Sequence, residues 1–185
     1  EGSVCNFYQK KAIDYISNLK DKKILFIMRD PIERFVSTYK YYGGDGIHLK
    51  PGTTVEEYYE LVKSKSLGKE LMYYSLEHGR YTVFINKWSN VVDEQNIYLI
   101  SLNKLINEPN YINKIWQFLG LPVISAHRIS NKNSSSFMKF PSLNKYLSKY
   151  LGGKGLADNK LAKIYKRFNS KKAEVKLPDN IKRDL

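Results

Sequence analysis

The amino-acid sequence predicts an α/β fold, a parallel sheet flanked by helices. Two short apolar runs, Ile24 to Met28 and Asn96 to Ser101, have the length and continuity of strands buried on both faces. Segments with helical spacing alternate with them, and strands alternating with helices are the pattern of parallel sheets. At 185 residues the chain suits one domain with its own core, and we expect a single domain over residues 1–185.

The elements follow in order. Apolar residues from Phe7 to Leu19 recur at helical spacing. After the first strand, Asp30 is a helix cap and Pro31 occupies the first turn, where its missing N–H is harmless. This second helix should stop at Gly43-Gly44. Thr54 and Glu57 have the spacing of a capping box for a third helix. A fourth covers the segment YTVFINKWSNVV before the second strand, and a fifth runs from Tyr111 to a glycine stop at Gly120. Beyond Pro122 the chain is basic and irregular, with helices expected near Leu143 to Tyr150 and Asn159 to Phe168. Two strands are too few for an independent sheet, so further strands are expected outside this sequence.

Composition narrows the function. With 42% apolar and 14% aromatic residues the chain can build a core, and no apolar run approaches a membrane span. The formal charge of +13 implies an anionic partner: a phosphorylated nucleotide, a polyanionic glycan, nucleic acid or an anionic membrane. The one cysteine, Cys5, rules out an internal disulfide, and with three histidines it leaves no structural zinc site.

The string with chemical content is Arg29-Asp30-Pro31-Ile32-Glu33-Arg34-Phe35-Val36-Ser37, where a strand turns into a helix. Ligands of open parallel sheets bind beyond the carboxyl ends of strands, and a helix N-terminus there favours anions. Arg29 would bring a planar guanidinium to that end, and Ser37 a neutral donor about two turns into the helix. On spacing alone, pairing of Arg29 with Asp30 or Glu33 and a solvent-facing Ser37 is the favoured reading.

The pattern Arg-x-Pro-x-x-Arg-x-x-Ser after an apolar strand resembles the 3′-phosphate motif of PAPS-dependent sulfotransferases (PAPS, 3′-phosphoadenosine 5′-phosphosulfate). The resemblance implies that Arg29 and Ser37 bind the 3′-phosphate, with Arg34 in the place of the second family arginine. It continues through Gly79, Tyr81, Trp88, Leu105, Pro109 and the Phe118-Leu119-Gly120-Leu121 string, most of them core or capping positions. Glu1-Gly2-Ser3 and Phe7-Tyr8 are similar to the glycan and bacterial branches. Residues 1–121 are the best-matched part, and 122–185 the less regular one. Lys171 and Lys172, ahead of Pro178, stand at an offset similar to that of the family's basic loop over the nucleotide; its glycine is absent, and two further solvated lysines are the favoured alternative. Phe137 is either a platform for adenine or an anchor for its loop.

The resemblance further implies a P-loop-NTPase-like sulfotransferase fold, PAPS as donor, PAP as product and no metal. The acceptor would be a hydroxyl or amine, for which a glycan or other polyanion fits the charge. The family's Lys-x-Gly-Thr-Thr loop, which holds the 5′-phosphosulfate, and its catalytic base match nothing before Arg29. No catalytic residue is therefore assigned, and the chain reads as a portion incomplete at both ends. Lys50-Pro51-Gly52-Thr53-Thr54 has the right letters, but no buried strand precedes it and Pro51 lacks an N–H. A turn plus a helix cap explains it, with a permuted donor site as the alternative, and His48 is a loop residue. A cytoplasmic location follows for a microbial source, and a Golgi-lumen location stays open if an anchor precedes Glu1. The opposing functional class is a non-catalytic basic module for nucleotides or nucleic acid. A small kinase is disfavoured, because no Walker sequence is present.

Overall fold

A computed structural model describes residues 7–44, 48–65, 73–123, 137–143, 146–147, 160–171 and 174–185. The chain forms two compact units, each assembled from two stretches: Glu1–Asp30 with Arg80–Lys132, and Pro31–Gly79 with Asn133–Leu185.

The first unit carries the parallel sheet. Strand β1 (Ile24–Met28) pairs in parallel with β2 (Ile97–Ser101), Ile24 lying opposite Ile97 and Met28 opposite Ser101. Side chains alternate across a strand, so β1 divides its residues between two cores. On one face Phe26 and Ile24 pack with Phe7, Trp88 and Val92. Helices α1 (Lys10–Ser17) and α4 (Tyr81–Ser89) supply that layer. Trp88 is buried as a packing residue, and its indole N–H donates to the Phe7 carbonyl at 2.9 Å. On the other face Leu25 joins Ile100, Tyr111 and Ile115, the last two from α6 (Tyr111–Leu119). Gly120 ends α6 with φ +72°, the left-handed conformation that a glycine adopts without strain.

Two features of this unit depart from the sequence reading. A short helix, α5 (Leu102–Asn107), follows β2 directly, its first turn capped by the Ser101 hydroxyl, which accepts from the Lys104 N–H. The strands are also not buried throughout, since Ile27 is 60% and Leu99 39% exposed. Among the described residues each strand has a neighbour on one side only, so the sheet is narrow and part of each strand stays uncovered.

The second unit is built around α2 (Pro31–Gly44) and α3 (Val55–Lys63). Phe35, Tyr39 and Tyr42 on α2 meet Val55, Tyr58, Tyr59 and Val62 on α3, each set at the three- and four-residue spacing of an apolar helix face. Both helices start where caps predicted them: Pro31 opens α2, and Thr54 and Glu57 close a complete capping box on α3. The C-terminal residues form α8 (Asp179–Asp184), whose Ile181 is buried in the same core and whose Asp184 carboxylate takes the Tyr59 hydroxyl. Between them α7 (Lys160–Asn169) leads into β4 (Ser170–Lys171), which pairs antiparallel with β3 (Phe137–Met138). The helix expected near Leu143 to Tyr150 lies largely outside the described residues.

Candidate functional site

In the first unit the strand ends are held by tyrosines. Arg29 follows β1 directly, is half-buried, and its backbone N–H reaches the Tyr81 hydroxyl at 3.4 Å. The neighbouring strand repeats the device: the Ser101 N–H reaches the Tyr111 hydroxyl at 3.4 Å. Both contacts are long for hydrogen bonds, yet each brings a polar partner to a backbone amide at the carboxyl end of its strand. Tyr81 opens α4, so the helix that packs on Phe26 also fixes the backbone from which the Arg29 side chain departs.

In the second unit α2 carries Arg34 and Ser37, three residues apart and hence neighbours on the helix surface. Arg34 is turned toward its own unit, and its Nη1 donates to the Ser75 carbonyl at 2.8 Å. Around that bond lies a small polar cluster. The Ser75 hydroxyl accepts from the Tyr58 hydroxyl at 3.2 Å, and burial pushes Tyr58 up to about 12. His78 is buried with its ring stacked on Tyr74 at 5.3 Å. Burial first, and the positive charge of Arg34 second, bring His78 down to about 4, so it is neutral at pH 7. Ser37 differs from its neighbour Thr38, whose hydroxyl folds back onto the Arg34 carbonyl at 3.0 Å. Half-buried, Ser37 makes no side-chain hydrogen bond among the described residues.

Lys171 stands in β4 opposite Phe137. Its side chain, the Phe137 ring and Lys172 lie outside the described residues. Lys50 to Thr54 form a turn and a cap. The Thr53 N–H closes the turn on the Lys50 carbonyl at 3.1 Å, with Gly52 at φ +89°. Thr54 exchanges bonds with Glu57 at the start of α3. His48 sits against the rings of Tyr41 and Tyr42 as a loop residue.

Sequence reasoning missed the Tyr81 latch and the cluster of Arg34, Ser75 and His78. The string His78-Gly79-Arg80-Tyr81 was a partial signal, because two of its members already matched the family pattern.

Comparison with known proteins bears on the fold and the family. Carbohydrate sulfotransferase 15 of Homo sapiens is 25% identical over 170 residues, spanning 83% of this chain but only 29% of that protein. A crystal structure of a sulfotransferase from Alicyclobacillus acidocaldarius superposes with a TM-score of 0.60 at 16% identity, over 87% of this chain and 66% of that one. The expected α/β fold with a parallel sheet is thus the fold of a solved sulfotransferase. The sulfotransferase domain family itself matches residues 15–173, a span that holds both parallel strands, Arg29, Arg34, Ser37, Lys171 and Lys172, and the chain belongs to that family.

Proposed function

We propose that this chain is the donor-binding part of a PAPS-dependent sulfotransferase, which passes a sulfuryl group to a hydroxyl or amine acceptor. The carrying observation is the string from Arg29 to Ser37, which leaves a parallel strand at Arg29 and enters α2 at Pro31. Arg29 supplies a charged fork for the 3′-phosphate, and Ser37 a hydroxyl with no competing bond among the described residues. Arg34 stands in the place of the second family arginine, with one of its nitrogens donating to the Ser75 carbonyl. The same reading gives Lys171 and Lys172, from the sequence alone, the role of adding positive charge for the 3′-phosphate.

PAPS supplies the sulfuryl group: the acceptor oxygen or nitrogen bonds to sulfur, the bond from sulfur to the 5′-phosphate oxygen breaks, and PAP leaves. The residues named here bind and orient the nucleotide rather than act on sulfur. The net charge of +13 and the likeness to a carbohydrate sulfotransferase favour a glycan as acceptor.

Calorimetry with PAP tests the assignment. The folded chain should bind PAP, and Arg29→Ala should weaken binding ten- to a hundredfold, as expected when charge-assisted hydrogen bonds of about 1.5–3 kcal/mol are lost. Ser37→Ala should cost several-fold. A folded chain without PAP affinity overturns the donor site. PAP binding without sulfate transfer in any longer protein containing these residues makes the chain a nucleotide-binding module.

A further inference from the structure

Helix α7 leaves two large apolar side chains, Ile164 and Phe168, exposed. Its ten residues, KLAKIYKRFN, spread apolar and basic positions over separate arcs of the helix. Asn169 ties one arc to the unit: it is buried, its side-chain amide donates to the Tyr165 hydroxyl at 2.7 Å, and its side-chain oxygen accepts from the Phe140 N–H at 2.8 Å. Its carbonyl also takes the Lys139 N–H, at 2.6 Å. Ile164 and Phe168, four residues apart, point away from that anchor and are 53% and 74% exposed. The bonds to Asn169 bring Phe140, itself 62% exposed, to the end of α7 that carries Phe168. Leu143 is exposed one helical turn beyond. Single exposed apolar residues need no explanation, but a group of large ones on one element does.

Basic residues predominate around this group, although the exposed Glu174 lines the same pocket as Lys139 and Pro141. Lys139 and Arg167 are exposed, helical spacing places the positions of Lys160 and Lys163 on the arc beside Ile164, and from Phe137 to Lys171 the only acidic residue is Asp158. We propose that α7, with Phe140 and Leu143, is a docking surface for an anionic lipid membrane. The apolar side chains enter the headgroup boundary, and the flanking lysines and Arg167 meet lipid phosphates and carboxylates. At about 1.5 Å per residue the helix is far too short to span a hydrocarbon core of about 30 Å, so it lies along the surface. A soluble glycan or nucleic acid would satisfy the charges but leave Ile164 and Phe168 in water. A second copy would set like charges face to face.

Flotation with lipid vesicles tests the surface. The chain should float with phosphatidylcholine vesicles containing about a third phosphatidylserine and not with pure phosphatidylcholine, since each basic residue near an anionic surface is worth roughly fivefold. Ile164→Ser/Phe168→Ser should lower partitioning by tenfold or more, and Arg167→Gln by about fivefold, with melting curves unchanged because these side chains are exposed. In Phe168→Trp, serine-lipid vesicles should shift emission to the blue beyond any change in the parent chain. Absence of flotation, equal flotation with neutral vesicles, or full flotation of the double serine variant each overturns the proposal. Retention by a soluble polyanion without vesicle binding identifies a polyanion site instead, and a lipid-free dimer abolished by the serine variant identifies self-association. Either also overturns it.

Discussion

The turn from Lys50 to Thr54 and the Ser37 position on α2 treat their hydrogen-bonding groups in opposite ways. In the turn, the Thr53 N–H and hydroxyl both go to the Lys50 carbonyl, the Thr53 carbonyl takes the Tyr39 hydroxyl, and Thr54 is consumed by Glu57. Ser37 has no side-chain hydrogen bond among the described residues. An anion cradle consists of donors the fold has not already satisfied, and the bonds within the turn therefore favour the proposal that places the phosphate at the other string. Glu56 and Glu57 in the first turn of α3 also place negative charge where an anion would have to approach.

The widest gap should appear in nucleotide affinity. Arg29→Ala is expected to weaken PAP binding ten- to a hundredfold, and Lys50→Ala less than twofold, in the same calorimetric titration. Comparable losses would mean that the turn is a donor site after all.

Within the string from Arg29 to Ser37, Arg34 is tied to the Ser75 carbonyl, and pH probes its surroundings. His78, near Arg34, is lowered from 6.5 to about 4. The unfolded chain therefore binds one more proton at this residue between those values, and stability falls as pH drops from 6.5 toward 4. Above 6.5 the contribution is fully present. In urea titrations across that range, His78→Gln should flatten the slope relative to the parent chain while leaving PAP affinity at pH 7 unchanged. An unaltered slope would show that His78 does not titrate in this way.

What could be read in advance follows the range of the interactions. β1, the starts of α2 and α3 and the Gly120 stop depend on residues within a few positions of one another, and the structure has them where the pattern put them. The Arg34 bond to Ser75 spans 41 residues and the Arg29 contact with Tyr81 spans 52, so no local pattern announces either. The exposure of Ile27 is of the same kind, because burial of a strand depends on what covers it. α5 was missed for a different reason: no loop separates it from β2, and its cap is the last residue of the strand.

Capping and binding part again at two hydroxyls. Thr54→Ala removes the acceptor for the Glu57 N–H and should cost about 1 kcal/mol of stability by urea denaturation, with PAP affinity unchanged. Ser37→Ala breaks no side-chain bond within the described residues and should leave stability within about 0.5 kcal/mol while affinity falls several-fold. A swap of these two phenotypes would reverse the roles assigned to the two strings.

The smallest effect isolates the turn from everything around it. Gly52 has φ +89°, and a Cβ built there meets no atom within 4 Å, so Gly52→Ala introduces backbone strain without a clash. Only the conformational cost of holding an L-residue in this region remains, roughly 1 kcal/mol, offset in part by the smaller entropy of the unfolded alanine chain. A loss of about 0.5–1 kcal/mol in urea is therefore expected, with no change for PAP. A nucleotide held by this turn would bring its phosphate against the Gly52 backbone, and an added methyl would then cost far more in binding than in folding. Equal PAP affinity before and after Gly52→Ala would leave the string that ends in Ser37 as the phosphate site.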